Sequence, residues 1–321
     1  MSYFFLDGGG GWRYIIPLIK EEDTVIGSND SINNYFNTFT KCNTIKLRSK
    51  PTLYPNIILN IILFFIDYYT HFRKLKNEDI YYFGRVSAIT FFSHLNRLSK
   101  NNKIHLLAPK DRGDPRKWYF EQNIFVPRYN FLLNAIKRIL KVDAGVKLKL
   151  DKPMWYLKEN TISSYDFVFY DRTEPVVSFP KKYKSLLKKK KTLLLLNNLP
   201  RVMNNPLESS NIVASLLDKE HTIIKNHTRN PEILGDLSKY DQFPPFIPAE
   251  ILISNHDWDY IISVYISKTF LTNSKPIKVS LYNLFNWKHP VPDTWIKRNR
   301  IIENGVRLPK TKEEFKEIYY E

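Results

Sequence analysis

Short, unbroken apolar runs between polar or helical stretches constrain this chain more than any other feature. Thr192-Leu193-Leu194-Leu195-Leu196, Thr222-Ile223-Ile224-Lys225, Tyr260-Ile261-Ile262-Ser263-Val264 and Ile277-Lys278-Val279-Ser280-Leu281 are four of them. A strand apolar on both faces must be covered on both faces, so such runs predict a parallel sheet between layers of helix, an open α/β fold. Ligands of open sheets bind beyond the carboxyl ends of the strands. The residues expected there are Lys225, His227, Arg229, Glu250 and Ser267, a set suited to a negatively charged nucleotide.

The first half has the same layout. Tyr3-Phe4-Phe5-Leu6 reads as a strand, followed by Asp7 and the run Gly8, Gly9, Gly10 and Gly11, a helix over 12–20 and a strand at Thr24-Val25-Ile26. Strand, glycine-rich turn, helix, strand is how a Rossmann-like domain begins, and glycines let a backbone approach a ligand closely. The dinucleotide fingerprint Gly-x-Gly-x-x-Gly is absent. A helix is predicted over 53–75, apolar on most faces and therefore expected to be well buried. Strands at 79–83 and 103–107 flank a helix at 87–99, and the second strand ends in Ala108-Pro109-Lys110-Asp111-Arg112-Gly113-Asp114. A helix over 131–140 and a last strand over 166–171 complete this half. Residues 172–182, with Pro175 and Pro180, read as a linker, and Lys188 to Lys191 as the basic end of a helix, favoured by its dipole. A helix follows at 210–219, and a charged one starts at Lys310.

A chain of 321 residues accommodates two domains. We place the first at 1–175, the second at 176–285, and a tail at 286–321. The single cysteine, Cys42, excludes a disulfide framework and cysteine-based zinc sites and suits a reducing compartment. The start lacks a basic region before its apolar run, as a secretory signal would have, and the greasiest stretch, 57–69, falls short of the ~20 residues of a membrane span. A cytoplasmic protein is expected. The net charge of +17 can attract nucleic acid, an anionic membrane surface or a polyanionic substrate. No compact basic-aromatic module of a nucleic-acid binder is present, so nucleic acid is not the expected partner.

Three motifs carry a family resemblance. Ile224-Lys225-Asn226-His227-Thr228-Arg229, Pro248-Ala249-Glu250 and Val264-Tyr265-Ile266-Ser267 resemble, in this order, segments of bacterial GT-B sialyltransferases, including capsule polysialyltransferases and lipooligosaccharide sialyltransferases. Those segments are Lys-x-His-Pro, Pro-x-Glu and a strand ending in paired Ser/Thr. Here Thr228 replaces the proline, and Ser267 is one serine of the pair. The resemblance implies two Rossmann-like domains facing a central cleft, with a C-terminal helix that crosses back to the first. It implies inverting, metal-independent transfer of sialic acid, or a related nonulosonic acid, from a CMP-activated sugar to a surface glycan or glycolipid. No cofactor beyond that donor substrate is implied.

By the same resemblance His227 and Ser267 serve the donor phosphate, Glu250 holds the ribose hydroxyls and Lys225 lies near the base, with Arg229 alongside. The loop of Gly8 to Gly11 faces the cleft. The family's general base stands in an acidic pair before a glycine. Asp111 keeps that distance from Gly113, but Arg112 intrudes, so Asp114 is a rival and Asp7 a reserve. Asp257-Trp258-Asp259 looks like a metal-binding Asp-x-Asp, yet it precedes an apolar strand instead of following one, and no metal is expected. Two other readings stay open: a transferase using a CDP-linked polyol donor, and a basic nucleic-acid-binding or scaffold protein.

Overall fold

A computed structural model of the protein describes residues 1–7, 11–50, 56–84, 89–113, 124–125, 138–139, 144–149, 152–157, 165–227, 232–271 and 275–320. The chain divides into two compact units, Met1–Pro175 and Val176–Glu321.

In the first unit the strands are β1 (Ser2–Leu6), β2 (Thr24–Gly27), β3 (Asn43–Lys46), β4 (Asp79–Phe83), β5 (Lys103–Pro109), β6 (Ile124–Phe125), β7 (Ala144–Lys149), β8 (Lys152–Leu157) and β9 (Asp166–Tyr170). Six of them form one sheet in the order β3-β2-β1-β4-β5-β9, parallel throughout. This is the doubly wound order in which chain direction across the sheet reverses between β1 and β4. The antiparallel ribbon β6-β8-β7 is inserted before the last strand; the alternation Val146-Lys147-Leu148-Lys149 in β7 was its signal in the sequence and was not read as a strand. The segment after β1 is a 3-10 helix, Gly11–Leu18, with Pro17 inside it.

Helices α1 (Asp30–Phe39), α2 (Ile57–Asp67) and α3 (Ile89–Leu98) belong to this unit. Asn29 caps α1 by accepting from the Ile32 amide at 3.1 Å, which satisfies one of the unpaired amides of a first turn. The core on one side of the sheet joins Phe5, Ile80, Tyr82 and Leu106 to Phe64, Phe72, Phe91 and Leu95. On the other side Phe4, Tyr81 and His105 stack in a row across β1, β4 and β5, each pair of rings 4.7 Å apart. They can do so because Phe4 is in register with Tyr81 and Tyr81 with His105.

The second unit repeats the plan. Strands β10 (Thr192–Leu195), β11 (Thr222–Lys225), β12 (Asp241–Phe243), β13 (Tyr260–Ser263), β14 (Ile277–Ser280) and β15 (Val306–Arg307) form a sheet in the order β12-β11-β10-β13-β14-β15, again all parallel. Its reversal point lies between β10 and β13. The helices are α4 (Lys181–Leu187), α5 (Leu199–Val202), α6 (Pro206–Leu216), α7 (Ala249–Ser254), α8 (Asp293–Arg298) and α9 (Lys312–Tyr319). Leu194, Ile224, Ile262 and Val279, fully buried neighbours on four strands, form the floor of its core.

Three expectations need correcting, and a fourth is not tested. The helix over 53–75 is α2 plus a π-helical turn, Tyr68–Phe72, and it is not well buried: Ile58, Leu59, Ile62, Ile66 and Tyr69 are exposed. The tail is no separate segment, because β15 extends the second sheet and α9 buries Phe315 and Tyr319 in that sheet's core. The lysine run is not simply a solvated helix end. Lys190 is buried, bonded to the Glu220 carbonyl at 2.6 Å and to Asp241 at 2.7 Å, and Lys191 pairs with Asp259 at 3.3 Å. The helix over 131–140 lies outside the described residues except at 138–139.

Candidate functional site

In the second unit the chain beyond β11 is built around Lys225. This side chain is buried at the last position of the strand, and its Nζ donates to the carbonyl oxygens of Asn226 at 2.6 Å and Pro245 at 3.0 Å. Two of its three N–H groups thus tie the turn after β11 to the loop after β12. Burial pulls its pKa down to about 8, and the nearby Glu250 carboxylate opposes the drop. Lys225 and Glu250 therefore stand within electrostatic reach of each other. Glu250 is half-buried in the first turn of α7.

Asn226 completes the turn. Its amide nitrogen donates to the Glu232 carbonyl at 3.2 Å and its Oδ1 accepts from the His227 amide at 2.8 Å. His227 emerges half-exposed from this fixed backbone. Arg229 and Thr228 lie outside the described residues.

Beyond the reversal point, Ser263 is fully buried, and its hydroxyl donates to Asn197 Oδ1 at 3.4 Å and to the Tyr265 carbonyl. This joins the chain leaving β10 to the chain leaving β13. Ser267 follows, half-exposed, with its Oγ accepting from the Thr269 amide at 3.2 Å. The hydroxyl proton remains a donor for a ligand. His227 and Ser267 so follow the carboxyl ends of β11 and β13, two strands separated only by β10.

A neighbouring aromatic group went unnoticed in the sequence. Tyr282 and Trp287 stack at 5.3 Å, and Tyr265 meets Trp287 edge-on at 4.7 Å, beyond the ends of β13 and β14. Trp287 Nε1 donates to the Tyr282 carbonyl at 2.8 Å, and the Lys288 amide to the Val202 carbonyl at 2.8 Å. Segment 285–288 is thereby fastened to α5, the helix that follows β10. Tyr265 lies inside one of the motifs quoted above, which was the only available signal.

In the first unit the reversal point is marked by Asp7. Its amide donates to the Phe83 carbonyl at 2.7 Å, while the Ser28 amide donates to the Leu6 carbonyl at 2.9 Å. The approach is close: a Cβ on Gly84 would come within 2.7 Å of the Asp7 Cβ and of the Tyr82 hydroxyl. A Cβ on Gly11 would stand 3.1 Å from the Phe83 ring. Gly8, Gly9 and Gly10 lie outside the described residues, as does Asp114.

Asp111 sits one strand farther out, after β5. Its carboxylate is 3.1 Å from Arg172, while Lys110 pairs with Asp171 at 2.6 Å. Asp259 of the Asp-x-Asp motif pairs with Lys191, and among the described residues no three His, Cys, Asp or Glu side chains gather into a metal site. A cavity of about 530 Å³, lined by Lys184, Lys188, Asn255 and His256 among others, lies beside the chain entering β10 and β13, away from these residues.

No protein-family model matches the chain, and no curated protein matches it. Among solved structures it is similar to the spinosyn forosaminyltransferase SpnP, at 10% identity and a TM-score of 0.44, over 99% of this chain and 89% of that one.

Proposed function

We propose that the protein is an inverting glycosyltransferase of GT-B type that moves sialic acid, or a related nonulosonic acid, from a CMP-activated donor to a glycan or glycolipid acceptor. The observation that carries this reading is the placement of His227 and Ser267 just after strands that flank the reversal point of a doubly wound parallel sheet, with Lys225 and Glu250 within electrostatic reach of each other. That is where such sheets hold nucleotides.

In the reaction an acceptor hydroxyl oxygen attacks the anomeric carbon and the bond from that carbon to the CMP phosphate oxygen breaks. The acceptor proton passes to a carboxylate. His227 and the Ser267 hydroxyl receive the charge that develops on the departing phosphate. Glu250 accepts from the ribose hydroxyls. Lys225 serves chiefly as the pin of the donor loops, because its Nζ already donates to two carbonyls. For the base we favour Asp7 over Asp111, because Asp7 stands at the reversal point of its own sheet and Asp111 does not.

A thermal-shift panel of CMP, CDP, UDP and GDP tests the donor assignment, because a ligand that binds only the native state raises the melting temperature. CMP should give the largest shift, and Glu250→Gln should reduce it. Equal shifts with all four nucleotides would reject the reading, and a larger shift with CDP would move it to a CDP-linked donor. Transfer should persist in excess EDTA.

A further inference from the structure

The first unit carries an apolar surface that none of its described elements covers. On α2, Ile58 is 75% exposed, Leu59 and Ile62 52% each, Ile66 36%, and Tyr69 in the following turn 59%. At about 100° per residue the four aliphatic side chains fall within an arc of about 100°, a single stripe. The opposite side of the helix is fixed. Phe64 is in the core, Asn60 accepts from the Lys50 amide at 3.2 Å, and the fully buried Asp67 carboxylate accepts from the Arg48 and Ser49 amides at 3.0 and 2.8 Å and from the Ser49 hydroxyl at 2.6 Å. Rolling the helix to hide the stripe would strip that buried carboxylate of its donors, which is costly. The stripe therefore faces outward by construction.

The end of the stripe is basic. Arg73, Lys74 and Lys76 are exposed just after the π-helical turn, with the Arg73 guanidinium 5.8 Å from the centre of the Tyr69 ring. Asp67 is the only acid between residues 47 and 77, and it is buried. An apolar stripe bordered by cations and ending in a tyrosine is the chemistry of a helix that lies in the headgroup layer of an anionic bilayer. Among the described residues no helix is long and apolar enough to cross a membrane, so lying in the interface is the geometry available.

We propose that the exposed face of α2, with Arg73, Lys74 and Lys76 at its end, docks the first unit onto the surface of an anionic lipid bilayer. The proposal stands apart from the donor assignment, since vesicle binding requires neither nucleotide nor transfer.

Sedimentation of the purified full chain with vesicles of phosphatidylcholine, with and without about one third phosphatidylglycerol, tests it. The chain should pellet with the anionic vesicles and be released by salt. Ile58→Ser with Ile62→Ser should weaken partitioning tenfold or more, and Lys74→Gln with Lys76→Gln about fivefold per charge. As a second measurement, Ile62→Cys carrying an environment-sensitive fluorophore should blue-shift on anionic vesicles, and the buried Cys42 should not compete for the label. No pelleting at any lipid composition, or unchanged binding by the serine variant with no shift at position 62, overturns the proposal. So does a dimer that the serine variant dissociates while no vesicle binding is seen.

Discussion

Asp111 and Arg172 form an ion pair of 3.1 Å across the ends of two adjacent parallel strands, β5 and β9. Lys110 and Asp171 make the matching pair at 2.6 Å with the signs reversed. The two pairs continue the register Pro109 to Tyr170 straight across the strand ends, with alternating sign. Asp111's side chain is 59% exposed, and pairs of this kind contribute about 0–1 kcal/mol.

Asp111→Asn should therefore leave stability nearly unchanged and, on the proposed mechanism, keep most of the turnover. Asp7→Asn should lower turnover ~10²-fold or more while CMP still stabilises the protein, as loss of a proton acceptor requires. Steady-state kinetics with thermal shifts on both variants decides between the two carboxylates. Loss of turnover in Asp111→Asn with a fully active Asp7→Asn would restore Asp111 as the base.

Lys225 predicts a pH dependence of stability. Its proton leaves at about 8 in the folded protein, against an ordinary 10.5. Between those values the unfolded chain binds the extra proton, so stability rises with pH, by about 3 kcal/mol over the whole window. Below pH 8 both states are protonated and the gain is absent. Urea unfolding at pH 7.5 and 9.5 should show part of this rise in the wild type and much less in Lys225→Met. Glu250→Gln should move the onset to lower pH, because the carboxylate favours the charged lysine. Identical slopes in wild type and Lys225→Met would contradict the assignment.

Nine strands of the two parallel sheets were legible because parallel, covered strands are written as continuous apolar runs, whereas the short edge strands β3 and β12 were not read. What stayed hidden depended on partners distant in sequence. Arg172 reads as linker until β9 is known to lie beside β5, and β15 is two residues long, too short to leave a pattern. The apolar content of α2 announces contact with something apolar but cannot name the partner, so burial was the wrong inference. At the candidate site, residue types at strand ends were readable. The capture of Lys225 by Asn226 and Pro245 was not, because it depends on β12 lying next to β11. The Tyr265, Tyr282 and Trp287 group was missed for the same reason.

His94 predicts the acid limb. It is fully buried against Phe64 at 4.2 Å and Phe72 at 4.8 Å, and neither ring nitrogen finds a hydrogen-bond partner among the described residues. Burial, with Arg97 and His71 nearby, holds its pKa well below 6.5. As pH falls below about 6.5 the unfolded chain takes up a proton that the folded one refuses, and stability drops by about 1.4 kcal/mol per pH unit. His94→Phe keeps the aromatic packing and should remove that contribution, so its stability from pH 6.5 to 5 should decline less than the wild type's. Parallel declines would mean that other groups set the acid limb.

The last prediction concerns the end of the chain. Phe315 of α9 is fully buried, and Tyr319 from the same helix reaches Thr192 Oγ1 at 3.1 Å and packs its ring 4.9 Å from Tyr260. Thr192 and Tyr260 are register partners at the start of β10 and β13, so α9 lies over the centre of the second sheet. Removing a buried phenylalanine side chain leaves a cavity and costs about 3–5 kcal/mol. Phe315→Ala should therefore destabilise the second unit by that amount, seen as lost hydrogen-exchange protection in β10 and β13, with β1 and β4 of the first unit unaffected. Tyr319→Phe, which keeps the ring and removes only the hydroxyl, should cost about 1 kcal/mol. Loss of protection confined to the first unit would show that the tail serves that unit instead.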